Sequence, residues 1–259
     1  MTLQAVILDV DGTLADTEEL HRRAFNTAFA QAGQDWHWDE AEYHQLLAVH
    51  GGLARIRAWV ESHRPRELAN LDHAGAFEAM HSAKTDIFMS LVEDGAPLRP
   101  GVTRLLRDAR SSSLKLAVCA SCTRGTFEAL IVNALGFEAL DWFDVVITRE
   151  DTPDGTPAAD RFRLTLDRLG IDARDAIAIE DNARGVEAAA AAGIDVIAVP
   201  SRWTRDDDFS AAFLVVSDMG EVQAPFDVIR GDPGPFSRIS FESLTFWHDR
   251  AHGGGVAAA

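Results

Sequence analysis

The chain has 259 residues, 47% of them hydrophobic, and a formal net charge of −17, which is enough for one large domain or two unequal ones. The acidic excess argues against nucleic acid and anionic membranes as partners, because phosphate repulsion would be unopposed. No apolar run approaches the about 18 residues of a membrane span, and we expect no signal peptide. Two cysteines suit a reducing compartment, so we expect a cytoplasmic protein.

Short apolar runs alternate with helical patterns over much of the chain. The runs predict strands near residues 6–8, 114–119, 144–148, 176–181 and 195–199, and the helical patterns cover residues 102–110, 158–169 and 184–192. Strands that alternate with helices of about ten residues are typical of βαβ units. The sequence therefore predicts an α/β fold with a parallel sheet.

From residue 17 to residue 98 the pattern changes to consecutive helices without a strand-like run. Tryptophans in this stretch, among them Trp36, Trp38 and Trp59, predict a small aromatic core of its own. We therefore expect an α/β core of residues 1–16 and 99–222 and an inserted helical domain of residues 17–98. The remaining extension, residues 223–259, is rich in Pro and Gly and is expected to be partly disordered.

Acidic residues follow two of the predicted strands. Asp9 and Asp11 come directly after the first strand and precede Gly12 and Thr13, and the pair Glu180–Asp181 ends a later strand. A single D-x-D-G is most often a turn, but ligands of open α/β sheets bind at the carboxyl ends of the strands. Two acidic groups at that edge predict a divalent cation site and phosphoryl chemistry.

These motifs resemble those of the haloacid-dehalogenase (HAD) superfamily over roughly residues 3–220. Residues 9–14 look like its first motif, DxDGT, residues 180–185 look like its fourth motif, and the helical insert looks like its C1 cap. Residues 16–26 are similar to the subgroup that contains CbbY, phosphoglycolate phosphatase and β-phosphoglucomutase. The resemblance implies a three-layer Rossmann-like core and a phosphatase acting on a small phosphorylated metabolite of the sugar phosphate class.

The resemblance also implies a role for each acid. Asp9 would be the nucleophile that forms an aspartyl-phosphate, and Asp11 the general acid and base. Mg²⁺ would be held by Asp9, the backbone carbonyl of Asp11 and Asp181, with Glu180 orienting its water ligands.

Phosphate would be bound by backbone N–H groups of Gly12 and Thr13. A second motif of the family places Ser or Thr at the end of the second strand, where this chain has Ala120. Ser121 or Thr123 would take over this contact if the loop shifts by one residue.

The largest departure from the family lies in its third motif. Thr156 stands where the family has a lysine beside the catalytic acids, and losing such a group typically costs about 10²–10³ in rate. Arg149 and Lys84 are candidate replacements.

The missing lysine leaves a working phosphatase as the first hypothesis and a catalytically impaired protein that binds a phosphorylated ligand or partner as the second. A phosphomutase is third, because Thr13 after Gly12 is more typical of the phosphatases.

Three residues of the insert are candidate substrate contacts. Residues 51–55 resemble a cap loop that binds a second phosphate, although Leu53 replaces its lysine and only Arg55 remains. Lys84 matches a cap lysine that approaches the catalytic acids in relatives, and His21 is equally suited to a structural role and to a substrate contact.

A different chemistry is suggested by Cys119 and Cys122, which are spaced as a redox pair or as half of a zinc site. No second pair of zinc ligands with suitable spacing is present in the sequence, so this stays a minor alternative. We expect a monomer whose partner is a small phosphorylated substrate.

Overall fold

The structure is a computed structural model that describes residues 2–49, 51–153 and 155–253. The chain divides into two compact units, Thr17–Gly95 and a second unit of Met1–Asp16 with Ala96–Ala259. The expected insert thus begins at the predicted residue and ends three residues earlier than expected.

The second unit is built on a seven-stranded sheet. Its strands are β1 (Ala5–Leu8), β2 (Lys115–Cys119), β3 (Val145–Ile147), β4 (Ala176–Glu180), β5 (Asp195–Ala198), β6 (Leu214–Val216) and β7 (Val228–Arg230). Their order is β3-β2-β1-β4-β5-β6-β7, and every pair is parallel except β6 with β7. The predicted α/β class is confirmed, whereas β6 and β7 were not predicted.

In its described residues this unit has the α-helices α6 (Val102–Arg110), α7 (Arg124–Leu135), α8 (Ala158–Leu169), α9 (Ala183–Ala191) and α10 (Phe241–Ala251). Phe162 and Leu166 of α8 and Val186 of α9 share a buried cluster with Ile7 and Ala178 of the sheet. The alternate strand residues, among them Val6 and Leu8, are equally buried. Because successive side chains of a strand point to opposite faces, both faces of the sheet are covered.

The C-terminal segment differs from the expectation of partial disorder. Over residues 223–253 the structure contains β7 and α10, whose Leu244 and Trp247 are buried. Ser240 caps α10 through the backbone N–H of Ser243, and the Trp247 indole donates to the Pro233 carbonyl at 2.9 Å. A capped amphipathic helix therefore follows the Pro- and Gly-rich stretch that obscured it; residues 254–259 lie outside the described residues.

The first unit consists of the helices α1 (Glu18–Gln31), α2 (Glu40–Leu46), α3 (Gly52–His63), α4 (Leu68–His73) and α5 (Ala76–Glu93). Its core is aromatic, as the tryptophans predicted: the Trp38 ring lies 4.7 Å from that of Phe25 and 4.8 Å from that of Phe29. Among all helices of the described residues, none is both long and apolar enough for a membrane span.

Candidate active site

Three carboxylates meet at the carboxyl edge of the sheet. Asp9, Glu180 and Asp181 each have a carboxylate oxygen within 4.8 Å of the others, and all three side chains are buried. The register of the strands explains this arrangement. Leu8 pairs with Ile179, so the next residues, Asp9 and Glu180, lie side by side. Glu180, which the resemblance placed beyond the direct ligands, has a carboxylate oxygen within 4.8 Å of both aspartates.

Two glycines allow the carboxylates to approach the backbone. Gly12 has φ +85°, and a Cβ at this position would lie 2.1 Å from Oδ2 of Asp181. A Cβ at Gly185, in the first turn of α9, would lie 2.0 Å from Oε2 of Glu180. Any larger residue would displace an acid, so both glycines are required by the geometry of this centre.

Burial and mutual repulsion oppose ionisation of the acids. The pKa of Asp9 is raised well above its ordinary value by burial and by the charges of Asp181 and Asp11, while the Val10 backbone and the Thr13 hydroxyl oppose this rise. The Thr13 hydroxyl lies 3.4 Å from Oδ2 of Asp9. A buried all-oxygen donor set of this kind fits a hard divalent cation, which would favour the charged carboxylates.

Asp181 is oriented by two neighbouring side chains that the sequence did not reveal as functional. The Asn182 amide donates to its Oδ1 at 2.9 Å, and the Thr204 hydroxyl lies 2.6 Å from its carbonyl oxygen and 3.2 Å from its Oδ2. Thr204 belongs to the segment after β5, which carries no periodic pattern. Its role follows only from the tertiary structure.

Arg99 is a second residue that sequence analysis missed. Its guanidinium donates to the carbonyl of Gly12, to those of Val199 and Pro200 at 2.5 and 2.9 Å, and to that of Ser217 at 2.8 Å. Burial lowers its pKa, and the charge of Asp181 is the largest of the effects that oppose this. One cation therefore ties together the segments that follow β1, β5 and β6 at the edge where the acids lie.

In the predicted phosphate-binding segment after β2, the candidate residues differ in their exposure and in their hydrogen bonds. Ala120 is buried and Ser121, directly after it, is exposed. Thr123 is the N-cap of α7, where its hydroxyl oxygen accepts from the Thr126 backbone N–H at 3.2 Å. Ser121 is therefore better placed than Thr123 to meet a ligand at this edge.

Within the described residues, neither Thr156 nor Arg149 provides a positive charge that pairs with the three carboxylates. The Thr156 hydroxyl donates to the Pro153 carbonyl of its own loop at 2.7 Å. Arg149 begins a short 3₁₀ turn and its side chain is exposed.

The three predicted substrate residues of the helical unit lie close together. Lys84 Nζ is 2.7 Å from Nδ1 of His21, and the His21 ring stacks on Phe88 with ring centroids 3.7 Å apart. Burial, Lys84 and Arg55 together hold the pKa of His21 well below its ordinary value.

Arg55 is held by a short chain of hydrogen bonds within the same unit. Its guanidinium donates to the Tyr43 hydroxyl at 3.0 Å, and this hydroxyl donates to Glu18 at 2.7 Å. The unit thus presents three basic side chains whose positions are fixed by aromatic neighbours and one carboxylate.

Both cysteines are free thiols. Burial raises the pKa of Cys119 to about 12 and also raises that of Cys122. Because the thiolate is the reactive form of cysteine, this environment disfavours the redox alternative.

The fold and the site together define an α/β protein with a buried acidic centre at the carboxyl edge of its sheet. A family model of haloacid dehalogenase-like hydrolases matches residues 3–193. The chain belongs to this family, which confirms the predicted family and the expected hydrolase class.

Among similar proteins, the plasmid-encoded protein CbbY of Cupriavidus necator is 38% identical over 248 residues, covering 95% of this chain and 97% of its own. The crystal structure of CbbY from Rhodobacter sphaeroides with phosphate superimposes with a TM-score of 0.71 at 37% identity, over 84% of this chain and 95% of that one. A point mutant of the same protein, solved with xylulose-1,5-bisphosphate, has a TM-score of 0.72 at 36% identity, over 86% of this chain and 98% of that one.

Proposed function

We propose that the protein is a Mg²⁺-dependent phosphatase that hydrolyses a small sugar phosphate through an aspartyl-phosphate. The observation that carries this proposal is the meeting of Asp9, Glu180 and Asp181 within 4.8 Å at the carboxyl edge of the sheet. The mutant CbbY with its bound bisphosphate supports the choice of substrate class. A monomeric state and a cytoplasmic location remain part of the proposal.

Asp9 is the proposed nucleophile. Its carboxylate attacks phosphorus, the bond from phosphorus to the leaving oxygen breaks, and Asp11 donates a proton to that oxygen. Asp11 then accepts a proton from the water that attacks the aspartyl-phosphate, which releases inorganic phosphate and regenerates Asp9.

The metal would be held by the carboxylates of Asp9 and Asp181 and by the backbone carbonyl of Asp11, with Glu180 beside them. When bound, Mg²⁺ would offset the negative charge of the acids and of the phosphoryl group. The N–H groups of Gly12 and Thr13 and the Ser121 hydroxyl are the proposed phosphate donors.

The helical unit is proposed to select the substrate. Arg55, with its planar, forked guanidinium, suits bidentate binding of a second phosphate. Lys84 and His21 form a polar pair that suits a sugar hydroxyl or the transferred phosphoryl group.

A second candidate function is supported by Thr156. Threonine carries no charge, so no cation at this position offsets the acidic centre, and the Thr156 hydroxyl donates within its own loop. A protein of this kind would retain the ability to bind a phosphorylated ligand with little turnover.

Hydrolysis of p-nitrophenyl phosphate separates the two candidates. The wild type is compared with Asp9→Asn, with and without Mg²⁺, and Asp172→Asn serves as a matched exposed control. Release that needs Mg²⁺ and disappears only in Asp9→Asn supports the phosphatase; absence of Asp9-dependent release supports the binding protein. If the wild type is active, its rates of hydrolysis are then compared for three substrates: xylulose-1,5-bisphosphate, phosphoglycolate and β-glucose 1-phosphate.

A further inference from the structure

The acidic centre needs positive charge from elsewhere in the second unit. Three buried carboxylates within 4.8 Å repel one another, and an arriving phosphate adds to the repulsion. Arg99 is the obvious candidate, but its guanidinium is occupied by four backbone carbonyls. Arg149 is exposed.

Arg161 is placed toward this centre by the direction of α8. The helix connects β3 to β4, so it begins at the carboxyl edge of the sheet and runs away from it. Arg161 is its fourth residue, and side chains of a helix point back toward the N-terminus. The neighbouring Phe162 packs with Ala178 of β4, which keeps this turn of the helix against the strand that ends at Glu180.

The position of Arg161 follows from its place on α8. Thr165, one turn further along the helix, is buried and donates its hydroxyl to the Arg161 carbonyl at 2.9 Å. The charge of Arg161 also opposes the rise in the pKa of Cys119, which lies at the end of β2. Burial and the two aspartates raise the pKa of Glu180, and the charge of Arg161 opposes that rise. Arg161 thus lies one turn nearer to the acidic edge than Thr165.

The other arginines of α8 are engaged elsewhere. Arg163 pairs with Asp160, and Arg168 pairs with Asp151 at 3.0 Å. Arg161 is half-buried, and within the described part of the chain its guanidinium has no hydrogen-bond or ion-pair partner. Its charge is therefore available to the acidic centre.

We propose that Arg161 is a positioning residue that supplies, through Glu180, the positive charge that Thr156 does not provide. The expected effect on kcat rests on the proposed function, whereas the expected effects on Mg²⁺ and phosphate binding do not. Without Arg161 the centre becomes more negative. It then repels phosphate more strongly and attracts a divalent cation more strongly.

The test compares Arg161→Met, which removes the charge and keeps much of the side-chain volume, with Arg163→Met on the exposed face of the same helix. Calorimetry measures the Kd of Mg²⁺ for the free protein and the Kd of inorganic phosphate at saturating Mg²⁺. We expect Arg161→Met to weaken phosphate binding by about tenfold while Mg²⁺ binding is unchanged or tighter, with kcat for p-nitrophenyl phosphate falling by about 10². Arg163→Met should match the wild type.

Two rescue variants make the result specific. Arg161→Lys keeps a cation and should recover most of the phosphate affinity, and Thr156→Lys in the Arg161→Met background should do the same. Equal losses of Mg²⁺ and phosphate affinity would mean a damaged fold and would overturn the proposal, as would an Arg161→Met protein indistinguishable from Arg163→Met. If the wild type lacks turnover, the proposed phosphatase fails while the two binding measurements still decide the role of Arg161.

Discussion

Gly12→Ala is expected to separate backbone strain from damage to the acidic centre. The left-handed conformation at φ +85° costs an L-residue about 1–2 kcal/mol. In addition, the new methyl group would lie 2.1 Å from Oδ2 of Asp181, so the carboxylate must move by roughly 1 Å, a displacement that can cost about 10² in rate. We therefore expect kcat/KM to fall by about 10² or more, and the free energy of unfolding to fall by at least the strain contribution.

Gly193→Ala is the matched control for Gly12→Ala. Gly193 has φ +84°, but a Cβ there would meet only Cβ of Ala173 at an ordinary 3.5 Å. Urea unfolding should show a comparable strain cost in both variants, whereas p-nitrophenyl phosphate hydrolysis and calorimetric Mg²⁺ binding should suffer only in Gly12→Ala. A Gly12→Ala protein with the activity and Mg²⁺ affinity of Gly193→Ala would refute the inferred approach of Gly12 to Asp181.

Three further predictions concern other parts of the molecule. The pKa of His21 is depressed below 6.5 in the fold, so the unfolded chain binds this proton first and His21 destabilises the fold as the pH drops below 6.5. In urea unfolding, the free energy should fall more steeply with decreasing pH in the wild type than in His21→Gln, by at most about 1.4 kcal/mol per pH unit. Because the pKa of Cys119 is about 12, its thiol should resist Ellman's reagent at about pH 8 until denaturant is added, and rapid labelling of both free thiols in the native protein would contradict its burial. Trp247→Ala should lower the free energy of unfolding by about 3–5 kcal/mol, since this side chain is buried, while an unchanged urea midpoint would mean that α10 is dispensable.

Much of the core fold is predictable because its signal is local. The helices expected at residues 102–110 and 158–169 coincide with α6 and α8, whose apolar residues recur at helical spacing toward the sheet. The motif pair of Asp9 and Asp181 was predictable for a similar reason, since each acid directly follows a recognisable buried strand.

The missed features depend on contacts that are distant in sequence. The strand β7 pairs antiparallel with β6 and its three residues are exposed, so no pattern of a buried strand marks it. Arg99 acts through backbone carbonyls of four residues, and carbonyls carry no sequence signature. Arg161 lies in a correctly predicted helix, but its relation to Glu180 depends on how α8 packs on the sheet.

The position of β1 between β2 and β4 has a consequence for synthesis of the protein. Glu180 and Asp181 are made about 170 residues after Asp9, which takes roughly 10–35 s at typical elongation rates. During this interval the first strand lacks one of its two neighbours. The acidic centre therefore cannot assemble before β4 has been made, and a nascent chain stalled before β4 would present an open, apolar strand to chaperones or to other nascent chains.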